Sequence, residues 1–134
     1  MATVDWDALY AAYAAVGAAA LSYEELTRAF ELPEAALAAF RTPAGEDIRW
    51  LTNALGDDER KWVVAELARR SEAVAEALFA SMVDAGIDEV NPSLNRSFIE
   101  PCVSAFGHRR VIEYLLDVVE SGSDFHKAGA VNAL

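Results

Sequence analysis

Four basic residues lie near the start of predicted helices, where they could bind carboxylates: Arg60, Lys61, Arg96 and Lys127. Arg60 and Arg96 are 36 residues apart, which is about ten turns of an α-helix, so both return to the same helical phase. A guanidinium group offers a planar fork that pairs with both oxygens of a carboxylate. The pattern indicates a surface for an acidic peptide or for carboxylates of a partner. The alternative is that each base pairs with an acid of a neighbouring helix.

Glu100, beside Pro101, could face the same surface as a single acid, although an ordinary solvated carboxylate is the simpler interpretation. Catalytic patterns are missing from the sequence: there is no Gly-x-Ser-x-Gly elbow, phosphate-binding glycine loop or Cys-His nucleophile. The two histidines, His108 and His126, belong to no ligand pattern for a metal. We therefore expect a non-enzymatic protein with no cofactor and no metal.

Composition excludes some partners. The chain has 22 acidic and 11 basic residues among 134, a formal net charge of −11, which opposes binding to nucleic acid and to anionic lipid. No apolar run approaches the ~20 residues needed to span a bilayer, and the acidic start with Asp5 and Asp7 is unlike a secretory signal. Cys102 is the single cysteine and fits a small buried apolar group in a reducing compartment. We expect a cytoplasmic location.

Helix signals recur along the whole chain, and abundant alanine favours helix over strand. Ser22 and Glu25 match a capping box, prolines suit helix starts, and glycines at 56, 86, 107 and 122 suit helix ends. Pro101 should bend its helix without breaking it. The predicted helices run from Asp5, from Ser22 to before Pro33, and over Pro33–Arg41, Pro43–Leu55, Asp57–Arg70, Ser71–Ala85, Pro92–Phe106 and His108–Ser121, with Ser123 capping a last one.

An internal repeat emerges when the chain is shifted by 36 residues against itself. The matched pairs include Arg60 with Arg96, Trp62 with Phe98, Leu67 with Val103, Leu78 with Tyr114, Met82 with Val118 and Gly86 with Gly122. The same periodicity predicts a buried core of Trp62, Leu67, Leu78, Met82, Phe98, Val103 and Leu115.

On these residues the chain resembles the HEAT and armadillo-like repeat proteins over residues 43–134. The resemblance implies an all-α fold of antiparallel helical hairpins stacked as a short right-handed α-solenoid. The hairpins would be Pro43–Arg70, Ser71–Phe106 and His108–Leu134, their second helices lining the concave side. Residues 1–42 would form an N-terminal helical cap packed on the repeats. The alternative is an irregular helical bundle.

The resemblance implies a protein-interaction module that binds another protein. One version is an immunity or antitoxin-like inhibitor, in which an acidic protein covers the basic site of a toxin through charge complementarity. A second possibility is a small-ligand-binding or lyase-like HEAT protein. Its pocket would be lined by Trp50, Trp62, Phe98 and Tyr114.

A third possibility is a helix-turn-helix regulator, because residues 22–41 contain two short predicted helices with a turn at Glu31–Pro33. The second of these helices carries Arg41 as its only base, whereas base reading in DNA uses Arg, Lys, Asn or Gln. We therefore expect no nucleic-acid partner.

Overall fold

The computed structural model describes residues 4–91, 94–121 and 123–134. Over these residues it contains nine α-helices and no strand, which confirms the all-α prediction. The helices are α1 Trp6–Ala19, α2 Tyr23–Ala29, α3 Glu34–Arg41, α4 Gly45–Leu55, α5 Lys61–Ser71, α6 Phe79–Asp88, α7 Arg96–Phe106, α8 His108–Ser121 and α9 Asp124–Ala133. A 3-10 turn, Glu76–Leu78, leads into α6.

Local caps fix several helix ends where the sequence predicts them. The Ser22 hydroxyl accepts from the Glu25 amide at 3.1 Å, and the Glu25 carboxylate accepts in return from the Leu21 amide at 3.1 Å. Ser123 caps α9 by accepting from the amide of His126. Gly107 ends α7 at φ 93, a conformation in which a Cβ is strained.

The predicted helix Ser71–Ala85 is wrong at both ends. Residues 72–75 are not helical, and Glu72 ends α5 in the left-handed region at φ 54. Gly86 is not a terminator, because α6 continues through it to Asp88. A Cβ at Gly86 would lie 2.6 Å from Ile99 Cδ1, so this glycine permits close packing of α6 against α7. Its predicted match, Gly122, lies outside the described residues.

Two other helices begin four residues later than predicted. The helix expected from Asp57 begins at Lys61, and the Asp57 carboxylate accepts from the amides of Glu59 and Arg60, each at 2.9 Å. The helix expected from Pro92, a residue outside the described ranges, begins at Arg96. It continues across Pro101 to Phe106, as predicted.

The predicted core is largely confirmed. Five of its seven residues are buried: Leu67, Leu78, Met82, Phe98 and Leu115. Trp62 and Val103 are half-buried at the edge of the core, where the Trp62 ring lies 5.2 Å from the ring of Phe98.

The N-terminal helices pack on the rest of the chain through a reciprocal tryptophan contact. Trp6 of α1 and Trp50 of α4 stack with their centroids 5.6 Å apart. The Trp6 indole donates to Asp47 at 2.8 Å, and the Trp50 indole donates to Asp7 at 3.0 Å. Each indole N–H is therefore satisfied across the α1–α4 pair, which fixes the orientation of each ring. Farther along the chain, α3 packs against α5.

From α4 onward, packing between helices adjacent in sequence joins α4 to α5, α6 to α7, α7 to α8 and α8 to α9. Contacts between non-neighbours join α5 to α7, α4 to α6, and α6 to α9. The contact of α6 with α9 is additional to a simple chain-order stack. Chain-order stacking of three hairpins is therefore not confirmed.

Gly129 of α9 provides a test of the α6–α9 contact. A Cβ at this position would lie 2.1 Å from the Ile87 carbonyl oxygen, so Gly129→Ala should force α9 away from the α6 backbone and lower the free energy of unfolding by about 1–3 kcal/mol. Gly17→Ala is the matched control, because its Cβ would meet only Leu26 side-chain atoms at 3.8 Å or more. We expect that variant to gain about 0.4–1 kcal/mol. Urea unfolding followed by circular dichroism measures both, and equal effects would contradict the described packing.

Candidate functional site

A groove of about 620 Å³ lies between α5 and α7. Small buried side chains form its floor, Ala65 and Ala68 of α5, and exposed charged side chains stand along its sides. The lining residues are Ala65, Ala68, Arg69, Glu72, Ala73, Arg96, Ser97, Glu100, Pro101 and Ser104. The groove thus combines an apolar floor with acids and bases on both sides.

Two of the residues singled out in the sequence, Arg96 and Glu100, meet in this groove. They are four residues apart on α7, both are exposed, and neither forms a hydrogen bond or ion pair with the described residues. On α8, by contrast, Arg109 and Glu113 have the same order and spacing and form an ion pair at 3.1 Å. Arg96 and Glu100 therefore both remain available to a bound molecule.

On the α5 side of the groove, a buried carboxylate holds two arginine side chains. Glu66 of α5 is only 2 % exposed and forms ion pairs with Arg69 and Arg70, the latter at 2.6 Å from Arg70 Nε. A buried carboxylate needs such partners because isolated burial of its charge is costly. The sequence analysis did not identify Arg69 and Glu72 as groove residues. The one signal for this arrangement is the spacing of Glu66 and Arg70, which are one helical turn apart.

Lys61 pairs with an acid inside the protein, which is the alternative to partner binding given above. It is 7 % exposed, and its Nζ lies 2.8 Å from Glu89 Oε2 at the end of α6. The same ammonium lies over the rings of Trp62 and Phe98, 5.2 and 5.8 Å from their centroids. Lys61 therefore joins helices instead of presenting a charge to a partner.

The other two bases lie outside the groove. Arg60 is exposed, 3.5 Å from Asp57 and 5.2 Å from the centroid of the Tyr10 ring. Lys127 is half-buried on α9 and does not line the groove. The structure therefore brings Arg96 together with Glu100 but does not place all four bases at one groove.

The aromatic pocket predicted for a small ligand is not formed by its four residues. Trp50 stacks on Trp6, Trp62 packs on Phe98, and Tyr114 packs on Phe79. None of the predicted four lines the α5–α7 groove. The four rings instead lie at three separate helix contacts, one of which joins Trp62 to Phe98.

Cys102 lies on the buried side of α7, where desolvation raises the pKa of its thiol to about 12. Because the thiolate is the reactive form, burial and the raised pKa make this cysteine a weak nucleophile at neutral pH. Within the described ranges, no three His, Cys, Asp or Glu side chains are grouped to hold a metal ion. None of the described helices has the length and apolarity to cross a bilayer.

Two carboxylates, Asp84 of α6 and Glu89 at its C-terminal end, have pKa values shifted in opposite directions. Burial alone would raise the pKa of Glu89, but hydrogen bonds from Lys61 and from the Asn91 amide, with the Lys61 charge, bring it below the ordinary 4.5. Desolvation raises the pKa of Asp84 above 3.8 despite the hydrogen bond from Tyr114 at 2.7 Å. Glu89 therefore stabilises the fold above its ordinary pKa and loses this effect as the pH falls. Ionised Asp84 has the opposite effect.

The two shifted carboxylates should change the free energy of unfolding with pH in opposite directions. Between about pH 5 and pH 3, the stability difference between wild type and Glu89→Gln should shrink as Glu89 becomes protonated in the wild-type fold. Asp84→Asn should gain stability relative to wild type as the pH rises through the same range. Urea unfolding at half-unit pH steps measures the two differences, and parallel curves for all three proteins would refute these pKa directions.

Comparison of the chain with protein-family models, curated proteins and solved structures finds no match. A functional assignment therefore depends on the groove itself, with its apolar floor and the unpaired Arg96 and Glu100.

Proposed function

We propose that this protein is a non-enzymatic interaction module that binds another protein through the α5–α7 groove. One observation carries the proposal: Arg96 and Glu100 flank a groove of about 620 Å³ and have no partner among the described residues. Exposed charges beside an apolar floor suit the polar rim and apolar centre of a protein interface.

A second candidate is binding of a small ligand. The groove volume of about 620 Å³ lies within the ~300–1,000 Å³ typical of ligand pockets. Such pockets enclose most of the ligand, however, and Arg69, Glu72, Arg96 and Glu100 are all exposed at this groove. An open site with exposed charges favours a segment of a larger partner.

We also propose the HEAT-like organisation implied by the sequence resemblance, with hairpins α4–α5, α6–α7 and α8–α9. Packing of sequence neighbours, and of α5 beside α7, supports it. In this arrangement α5 and α7 are second helices of consecutive hairpins, so the groove would belong to the concave surface that such arrays use for binding. An inhibitor of the immunity or antitoxin type in the cytoplasm is one specific form of the proposal.

Nucleic acid is a less favoured partner. In α3, the second helix of the possible helix-turn-helix, Arg41 lies 3.5 Å from Glu34 and donates to the Ser71 carbonyl. Its guanidinium is therefore engaged within the protein, and the net charge of −11 opposes phosphate contacts.

Charge reversal at the groove tests the proposed function. Immobilised Arg96→Glu should retain about tenfold less partner from a lysate of the native host than wild type, equivalent to ~1.4 kcal/mol, because it repels the acid that Arg96 binds. Arg109→Glu, on an exposed arginine outside the groove, is the matched control and should retain the partner. Quantitative mass spectrometry measures retention, and circular dichroism should show unchanged melting. Equal retention by Arg96→Glu and wild type would exclude this groove as the binding surface.

A further inference from the structure

We propose that the segment occupying the α5–α7 groove carries one acidic and one basic side chain about a helical turn apart, with apolar side chains between them. The acid pairs with Arg96 and the base with Glu100. This inference rests on the proposed function and specifies the partner's chemistry.

The spacing comes from α7. Four residues of α-helix advance by about 6 Å, so Arg96 and Glu100 present opposite charges roughly one turn apart. They do not neutralise each other, whereas Arg109 and Glu113 do so at the same spacing. A segment that covered Arg96 and Glu100 with apolar groups would bury two charges without compensation, which is costly.

The opposite side of the groove excludes segments of a single charge. Glu72 lies there with Arg69, and Arg69 is already paired with the buried Glu66. A purely acidic segment would meet Glu72 and Glu100, and a purely basic one would meet Arg96. Like charges in an interface disfavour the wrong partner. A mixed segment avoids both repulsions.

The floor sets the polarity of the intervening side chains. It is formed by the methyl groups of Ala65 and Ala68, with Ala73 alongside. These methyl groups offer no hydrogen-bond partner, so a polar group placed over them would lose its water without compensation. The central residues of the segment are therefore apolar.

The decisive variant exchanges the two charges without changing the net charge: Arg96→Glu with Glu100→Arg. An acid placed four residues before a base is the favourable order for an intrahelical pair, so the exchanged residues should neutralise each other and also present the wrong sign at each position. Arg109→Glu with Glu113→Arg is the matched control on α8, outside the groove.

The partner segment is first identified with a photo-crosslinking amino acid at Ser104, which lines the groove, and at Ala105, which is exposed on the same helix but does not line it. Crosslinked peptides from native-host lysate are sequenced by mass spectrometry. A synthetic peptide of the segment captured only from position 104 is then the probe for fluorescence anisotropy, beside a scrambled peptide of the same composition.

We expect an acid and a base within about four residues of each other in the captured segment, and at least tenfold weaker peptide binding to the α7 exchange variant, with unchanged binding to the α8 control. A segment of a single charge, or equal binding to the α7 variant and wild type, would overturn this inference while leaving the interaction module intact. Failure of position 104 to capture any protein segment would overturn the proposed function as well.

Discussion

Lys61→Met is expected to lower the free energy of unfolding by about 3–5 kcal/mol, the cost of removing one partner of a buried ion pair. Lys61 Nζ lies 2.8 Å from Glu89 Oε2, and both residues are at least nine-tenths buried. Without the ammonium, Glu89 either retains an uncompensated buried charge or takes up a proton, and both outcomes favour the unfolded chain. Methionine approximates the length of the lysine stem, so the loss reports mainly on charge.

Urea unfolding at neutral pH measures this loss. The double variant Lys61→Met with Glu89→Met should recover most of it, because apolar replacement of a whole buried pair is often neutral or stabilising. Arg109→Met is the control for an exposed pair with Glu113 and should change stability by less than about 1 kcal/mol. A loss below about 1 kcal/mol for Lys61→Met would show that the pair is not buried in solution.

Leu78→Ala is expected to destabilise the protein by about 2–5 kcal/mol, through lost transfer energy and the cavity left in the core. Leu78 is fully buried at the end of the 3-10 turn that leads into α6. Because α6 contacts α4, α7 and α9, a cavity beside its first turn weakens the packing of several helices.

Leu21→Ala is the matched control, because Leu21 is 93 % exposed. That variant should remain within about 0.5 kcal/mol of wild type. Thermal and urea unfolding provide two measurements. Similar effects of the two Leu→Ala changes would be incompatible with the described core.

The sequence predicted the elements that depend on nearby residues. Ser22 and Ser123 cap their helices through amides three residues away, and Gly107 ends α7 because a left-handed residue is needed there. The buried positions of Leu67 and Phe98 followed from helical periodicity. Such features can be predicted from the sequence because the interactions that stabilise them involve only a few consecutive residues.

Positions governed by distant neighbours were misread. Gly86 has the same sequence signature as a helix terminator, yet it lies within α6, where Ile99 of α7 packs against it. Lys61 resembled Arg60 in sequence, but Glu89, 28 residues away, holds it in the interior. Nothing in the local pattern distinguishes these roles, because the deciding atom belongs to another helix.

Composition and helical periodicity are enough to predict an acidic, helical chain with a helix-phased core, and they point to Arg96 and Glu100 as candidate binding residues. The packing of the folded chain brings these two to one groove with Arg69 and Glu72. It leaves Arg60, Lys61 and Lys127 outside that groove. Helical phase fixes which side of its own helix a residue occupies. The packing of α5 against α7 fixes which sides face each other, and that depends on the summed contacts of the whole core.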